Sequence, residues 1–120
     1  MNLQKMLDRL KNHPKYHNSG MSLSHNGVVR NHSRDGKSVE SLSISVNHQK
    51  VKDIIDKNKK KKGIIEILVD IKEGENLKVG QDLMYLLVMG DIRDNIIPVL
   101  KETLDEIKRT ASIKQEVLEG

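Results

Sequence analysis

The sequence predicts a single α+β domain, and three observations predict it. Apolar residues recur at helical spacing in some segments and alternate or run together in others, in the order α-β-β-α-β-β-α. A length of 120 residues suits one compact domain with a limited core. No internal repeat or flexible linker divides the chain, so the domain is expected to span 1–120, with an irregular or extended tail over 112–120.

Leu3, Met6, Leu7 and Leu10 fall at helical spacing, and Asn12 with Pro14 ends that first helix. Residues 20–30 read as a strand in which Met21 and Leu23 alternate with Ser22 and Ser24. In a second strand Leu42, Ile44 and Val46 alternate with Ser41, Ser43 and Ser45, giving one apolar and one small polar face. Val51, Ile54 and Ile55 mark a short helix ahead of a lysine run. Ile64 to Ile71 is almost continuously aliphatic, as in a strand buried on both sides. Residues 72–80 form a turn region with room for short extra strands, and Leu83 to Met89 is another strong strand. Ile96, Ile97, Leu100, Leu104 and Ile107 line one side of a last helix over 95–109. Pro98 fits that helix if Asp94 is the N-cap, because a proline in the first turn has no intrahelical bond to lose.

Composition excludes several function classes. Cysteine is absent, which removes disulfides, thiolate nucleophiles and cysteine-based metal sites. The five histidines, His13, His17, His25, His32 and His48, fit no compact ligand pair, so no metal is expected. There is no apolar run long enough for a membrane span and no signal-peptide core, which makes the cytoplasm the simplest location. A net charge of +4 favours an anionic substrate or partner. Tyr16 and Tyr85 are the only aromatics, so base stacking on nucleic acid has almost no platform.

Candidate binding residues gather in Gly27-Val28-Val29-Arg30-Asn31-His32-Ser33-Arg34-Asp35-Gly36. Val28 and Val29 favour an extended backbone and Asp35-Gly36 a turn, so Arg30, His32 and Arg34 sit where a strand hands over to a loop. Taken alone, Arg30 is more readily a solvated or ion-paired residue than a ligand.

This segment resembles the strand-to-loop signature of the large, catalytic subunit of molybdopterin synthase. Further pieces follow in order. Val39-Glu40-Ser41-Leu42 is similar to the Val-x-x-Leu after that family's loop, and Leu77-Lys78-Val79-Gly80-Gln81 to its Leu-x-x-Gly turn. Asp91-Ile92-Arg93 falls where the family has a His-Arg pair, and Lys108 and Ile113-Lys114-Gln115-Glu116 resemble its closing lysines. The resemblance implies an α/β-hammerhead-type domain, mainly antiparallel, with packed helices. It implies a sulfurtransferase that converts cyclic pyranopterin monophosphate to the molybdopterin dithiolene, with no cofactor of its own. The sulfur donor would be a ubiquitin-like small subunit with a C-terminal Gly-Gly thiocarboxylate, in a heterotetramer built on a homodimer. Glu119-Gly120 differs from that Gly-Gly end, so this chain is expected to receive the tail.

On this resemblance Lys108 and Lys114 would be catalytic, and Arg30 and Arg93 would bind the substrate phosphate with help from His32 and Arg34. Arginine suits that role because its planar fork matches phosphate oxygens. Arg93 has a second reading, as a first-turn residue paired with Asp91 or Asp94. The chain departs from the family where Ile92 replaces the histidine and Ile113 a tryptophan, and only aliphatic residues could wall a pterin. The alternative is therefore a relative that binds a ubiquitin-like tail or pterin without turnover. The run Lys57-Asn58-Lys59-Lys60-Lys61-Lys62 is read first as cations complementing a helix C-terminus, then as a rim for an acidic small subunit, and last as an RNA contact.

Overall fold

The computed structural model describes residues 2–118; Glu119 and Gly120, on which the tail-acceptor expectation rests, lie outside the described residues. The chain runs α1 (Leu3–Lys11), β1 (Met21–Val28), β2 (Val39–Val46), α2 (His48–Lys59), β3 (Ile64–Ile71), β4 (Gly74–Lys78), β5 (Asp82–Gly90), α3 (Arg93–Glu106) and β6 (Ser112–Leu118). A π-helical turn, Ile107–Ala111, joins α3 to β6. The strands form two three-stranded sheets, β1-β5-β3 and β4-β2-β6, in which every pairing is antiparallel. This is the expected α+β class. No helix among the described residues is long and apolar enough to cross a membrane.

The central strand β5 organises the core. Met84, Leu86 and Val88 pack with Ile54, Ile96 and Ile107 beneath α2 and α3, while Leu87 and Met89 meet Met6, Leu10 and Leu68 beneath α1. Burial on both sides thus belongs to β5, whereas β3 lies at the sheet edge and is fully buried only at Ile67 and Leu68. Asn2 caps α1 by accepting from the Lys5 N–H at 2.8 Å, and Asn47 caps α2 by accepting from the Lys50 N–H at 3.1 Å.

Two expectations about α3 need correction. Its N-cap is Ile92, not Asp94, so Pro98 lies past the first turn and leaves the Asp94 carbonyl without its helical donor. Asp91 fastens this end instead: its Oδ1 accepts from the Ile92 N–H at 2.6 Å and from Asn95 Nδ2 at 2.9 Å. Of the expected stripe, Ile96 and Ile107 are buried and Leu100 and Leu104 pack against the core, but Ile97 is half exposed, and Val99, Thr103 and Glu106 join the buried face. The stretch from Ser112, read as a tail, is also more ordered than an irregular one: as β6 it pairs with β2 from Ser112↔Val46 to Leu118↔Val39.

The lysine run is engaged within the fold. Lys57 pairs with Glu106, Lys59 with Glu66 at 2.9 Å, and Lys61 with Glu102, while Asn58 is fully buried and donates to Glu106 Oε1 at 3.3 Å. Burial alone would raise the Glu106 carboxyl, but hydrogen bonds from Lys57 and Asn58 and the charges of Lys57 and Lys61 outweigh it and hold it below its usual range. Glu106→Gln keeps the shape and loses the charge, so it should cost about 2 kcal/mol at pH 7 in urea denaturation. A depressed carboxyl contributes stability above its unfolded pKa and loses it as pH falls through the native value. The gap between wild type and E106Q should therefore narrow on acidification.

Candidate active site

A cavity of about 490 Å³ opens where the two sheets and the π-helical turn meet. Its floor is aliphatic, with Ile44 from β2, Ile71 from β3, Met84 from β5 and Ile107 from the turn. Its polar wall brings together Arg30, Arg34, Lys108 and Lys114, which are distant in sequence.

Each cation is placed by a local device. Val29 is buried against Leu42 and Leu77, which pins the strand end, so Arg30 emerges at a fixed point. The following loop folds back on itself: Ser33 N–H donates to the Lys37 carbonyl at 2.8 Å, and Gly36 N–H to the Ser33 carbonyl at 3.0 Å. Gly36 takes a φ of 84°, which glycine allows without strain, and this tight turn carries Arg34. Lys108 projects from the π-helical turn, a local widening that Ile107 and Ala111 anchor in the core. Lys114 lies on β6 opposite Ile44, beside the cavity floor.

Four cations in one cavity have an electrostatic consequence. The Lys108 ammonium is held below the ordinary lysine range, first by partial desolvation, then by the charges of Lys114, Arg34 and Arg30, with Asp105 pulling the other way. Lys108 nonetheless remains exposed to solvent.

Two sequence-predicted residues fall elsewhere. His32 lies on an adjoining shallow recess shared with Arg30 and Lys114, where its Nδ1 is 2.7 Å from Asn31 Oδ1. Arg93 opens α3 just after Gly90, the far end of β5 from the cavity residue Met84, roughly 20 Å away along the strand. Within one chain it is not part of the cavity. Conversely, His25 lines the cavity and was not singled out as a binding residue. Its signal was the alternation Met21, Leu23, His25, Gly27, the inward face of β1. Among the described residues no cluster of three or more His, Asp and Glu is placed to hold a metal ion.

The MoaE protein family matches residues 1–110, a span that includes Lys108 and stops short of Lys114. No curated protein sequence matches the chain significantly. Among solved structures, molybdopterin synthase from Staphylococcus aureus superposes with a TM-score of 0.71 at 20% identity, covering 84% of this chain and 76% of that one. A complex of subunits 1 and 2 of the molybdopterin-converting factor from Helicobacter pylori gives 0.71 at 17% identity, covering 99% and 80%. Molybdopterin cofactor biosynthesis protein E from Burkholderia multivorans gives 0.74 at 15% identity, covering 98% and 84%. At such identities the likeness concerns the fold. With the family match over nearly the whole length, it leads to one assignment: the chain belongs to the MoaE protein family.

Proposed function

We propose that this protein is the catalytic subunit of a molybdopterin synthase, acting in the cytoplasm on cyclic pyranopterin monophosphate. The observation that carries this reading is the convergence of Arg30, Arg34, Lys108 and Lys114 on one cavity in a chain of the MoaE family. The sulfur donor is a small ubiquitin-like subunit whose thiocarboxylated tail enters the cavity; the similarity to a two-subunit complex from Helicobacter pylori supports that partnership.

The residues divide the work by chemistry. Arg30 and Arg34 hold the phosphate with charge-assisted hydrogen bonds, and Ile44, Ile71 and Met84 supply an apolar surface for the ring system. The thiocarboxylate sulfur is itself the nucleophile, so the absence of cysteine is no obstacle. Lys108 gives up its proton more readily than an ordinary lysine and, with Lys114, stabilises the oxyanion that forms on the acyl group before sulfur leaves its carbon. Arg93 belongs to the site through a homodimer, in which a second copy supplies it; the exposure of Ile92 and Ile97 beside it supports an interface there.

Purified protein, a thiocarboxylated small subunit and cyclic pyranopterin monophosphate should together give a product carrying two added sulfurs by mass spectrometry. Tail binding without product would replace the reading with that of a non-catalytic binding module. Arg30→Ala should raise KM for the pterin about 10- to 100-fold, the loss of one or two charge-assisted hydrogen bonds. An unchanged KM would remove Arg30 from the phosphate site.

A further inference from the structure

We infer that His25 is the proton acceptor of the cavity, activating the water that cleaves the acyl–sulfur bond after sulfur has moved to the substrate. This rests on the sulfur-transfer reading above. When the thiocarboxylate sulfur attacks a substrate carbon and that carbon's oxygen substituent leaves as water, the carrier tail and the substrate are joined through a thioester. Water must then add to the acyl carbon. A C–O bond forms, the C–S bond breaks, and the sulfur leaves on the substrate as a thiolate with the bonding pair. One water proton passes to the imidazole and the other leaves the new carboxylic acid for solvent. No oxidation or reduction occurs.

A base is the one role the cations cannot fill. Arg30 and Arg34 are donors only, and so are Lys108 and Lys114 while charged. The Ser112 hydroxyl donates to the Ile107 carbonyl at 3.2 Å. His25 is the remaining lining residue with a lone pair basic near neutral pH.

Its placement suits the task. His25 lies on the inward face of β1, and its Nε2 is 3.5 Å from the point where a Cβ of residue 27 would stand. Because that residue is glycine, no side chain of residue 27 comes between this nitrogen and the cavity. No ring nitrogen of His25 has a hydrogen-bond partner among the described residues. The charged groups around the cavity are Lys108 from the π-helical turn, Lys114 from β6, and Arg30 and Arg34 from the loop; β3 and β5 present Ile71, Leu83 and Met84. Burial first, and then the Lys108 charge, hold the imidazole below its ordinary value, so it stays neutral further into the acid range than a free histidine.

The test is single-turnover sulfur transfer by the full chain with thiocarboxylated partner and pterin substrate, followed across pH. Wild type should lose rate on the acid side, with a midpoint below the ordinary histidine value of about 6.5. His25→Phe keeps the ring volume and should lower the rate about 100-fold and remove that acid limb. His25→Ala should recover part of the rate on addition of imidazole, which a purely structural role would not allow. If His25→Phe fails to fold, His25→Gln gives the same comparison. Wild-type rate and an intact acid limb in a folded variant would overturn the inference alone. Absence of product from the wild type would instead reject the sulfur-transfer reading beneath it.

Discussion

Lys108→Ala should reduce the turnover of sulfur transfer by about 1,000-fold, within the range for losing a positioned proton donor. Folding should hardly change. The turn that carries Lys108 is anchored by Ile107 and Ala111, and the lysine faces the like charges of Lys114, Arg34 and Arg30. Removing it relieves repulsion, so the melting temperature should hold or rise slightly. Lys108→Arg separates charge from proton delivery: oxyanion stabilisation survives, while the guanidinium cannot give up its proton. The Arg variant should fall between wild type and the Ala variant.

The pH dependence gives an independent check on the same residue. If the ammonium form works, the rate falls as pH rises through the Lys108 pKa, which lies below the ordinary lysine value. Lys114→Ala removes one cause of that depression, so the alkaline limb should move to higher pH even as the rate drops. An alkaline limb that stays in place would mean that the two lysines do not share a site. Full turnover in folded Lys108→Ala would remove the residue from the mechanism.

The site was legible in the sequence where local chemistry determines position, and less so where strand pairing does. Val28, Val29 and Asp35-Gly36 marked a strand end and a turn, and the structure has both, with Arg30 and Arg34 displayed between them. Arg93 shows the limit. Its place in the order of motifs suggests nearness to Arg30, but β1 and β5 are antiparallel. The end of β1 therefore meets the start of β5, and Arg93 follows its far end. His25 was overlooked for a different reason. Weighed with the other histidines for metal spacing, it fits nothing; weighed as an inward position of β1, it enters the cavity. The α3 boundary moved because Asp91 holds the first N–H from outside the helix, whereas the expectation placed an acidic N-cap at Asp94. The lysine run lies at the C-terminus of α2, as its first reading has it, and what the run alone does not show is its carboxylate partners, which come from β3 and α3.

Gly20→Ala should be the most damaging small substitution in the fold, costing at least about 3 kcal/mol, in the range of severe backbone and packing clashes. A Cβ on Gly20 would stand 1.9 Å from the Asp91 carbonyl oxygen. That neighbour is backbone, so no rotamer change relieves the clash. Gly20 N–H also donates to the Gly90 carbonyl at 2.8 Å, beside the Met21↔Gly90 pair where β1 joins β5, so retreat breaks that rung. Nor can Asp91 retreat: its N–H donates to the Gly63 carbonyl at 2.9 Å, and its side chain holds the start of α3. Gly90 closes the same junction, since a Cβ there would stand 2.4 Å from the Gly63 carbonyl oxygen. Gly36→Ala is the matched control: its φ is 84° but nothing lies within 4 Å, so it should cost only the backbone term of about 1 kcal/mol. Urea denaturation of both variants separates close approach from conformational strain. Equal losses would mean that the Gly20 contact does not constrain the junction.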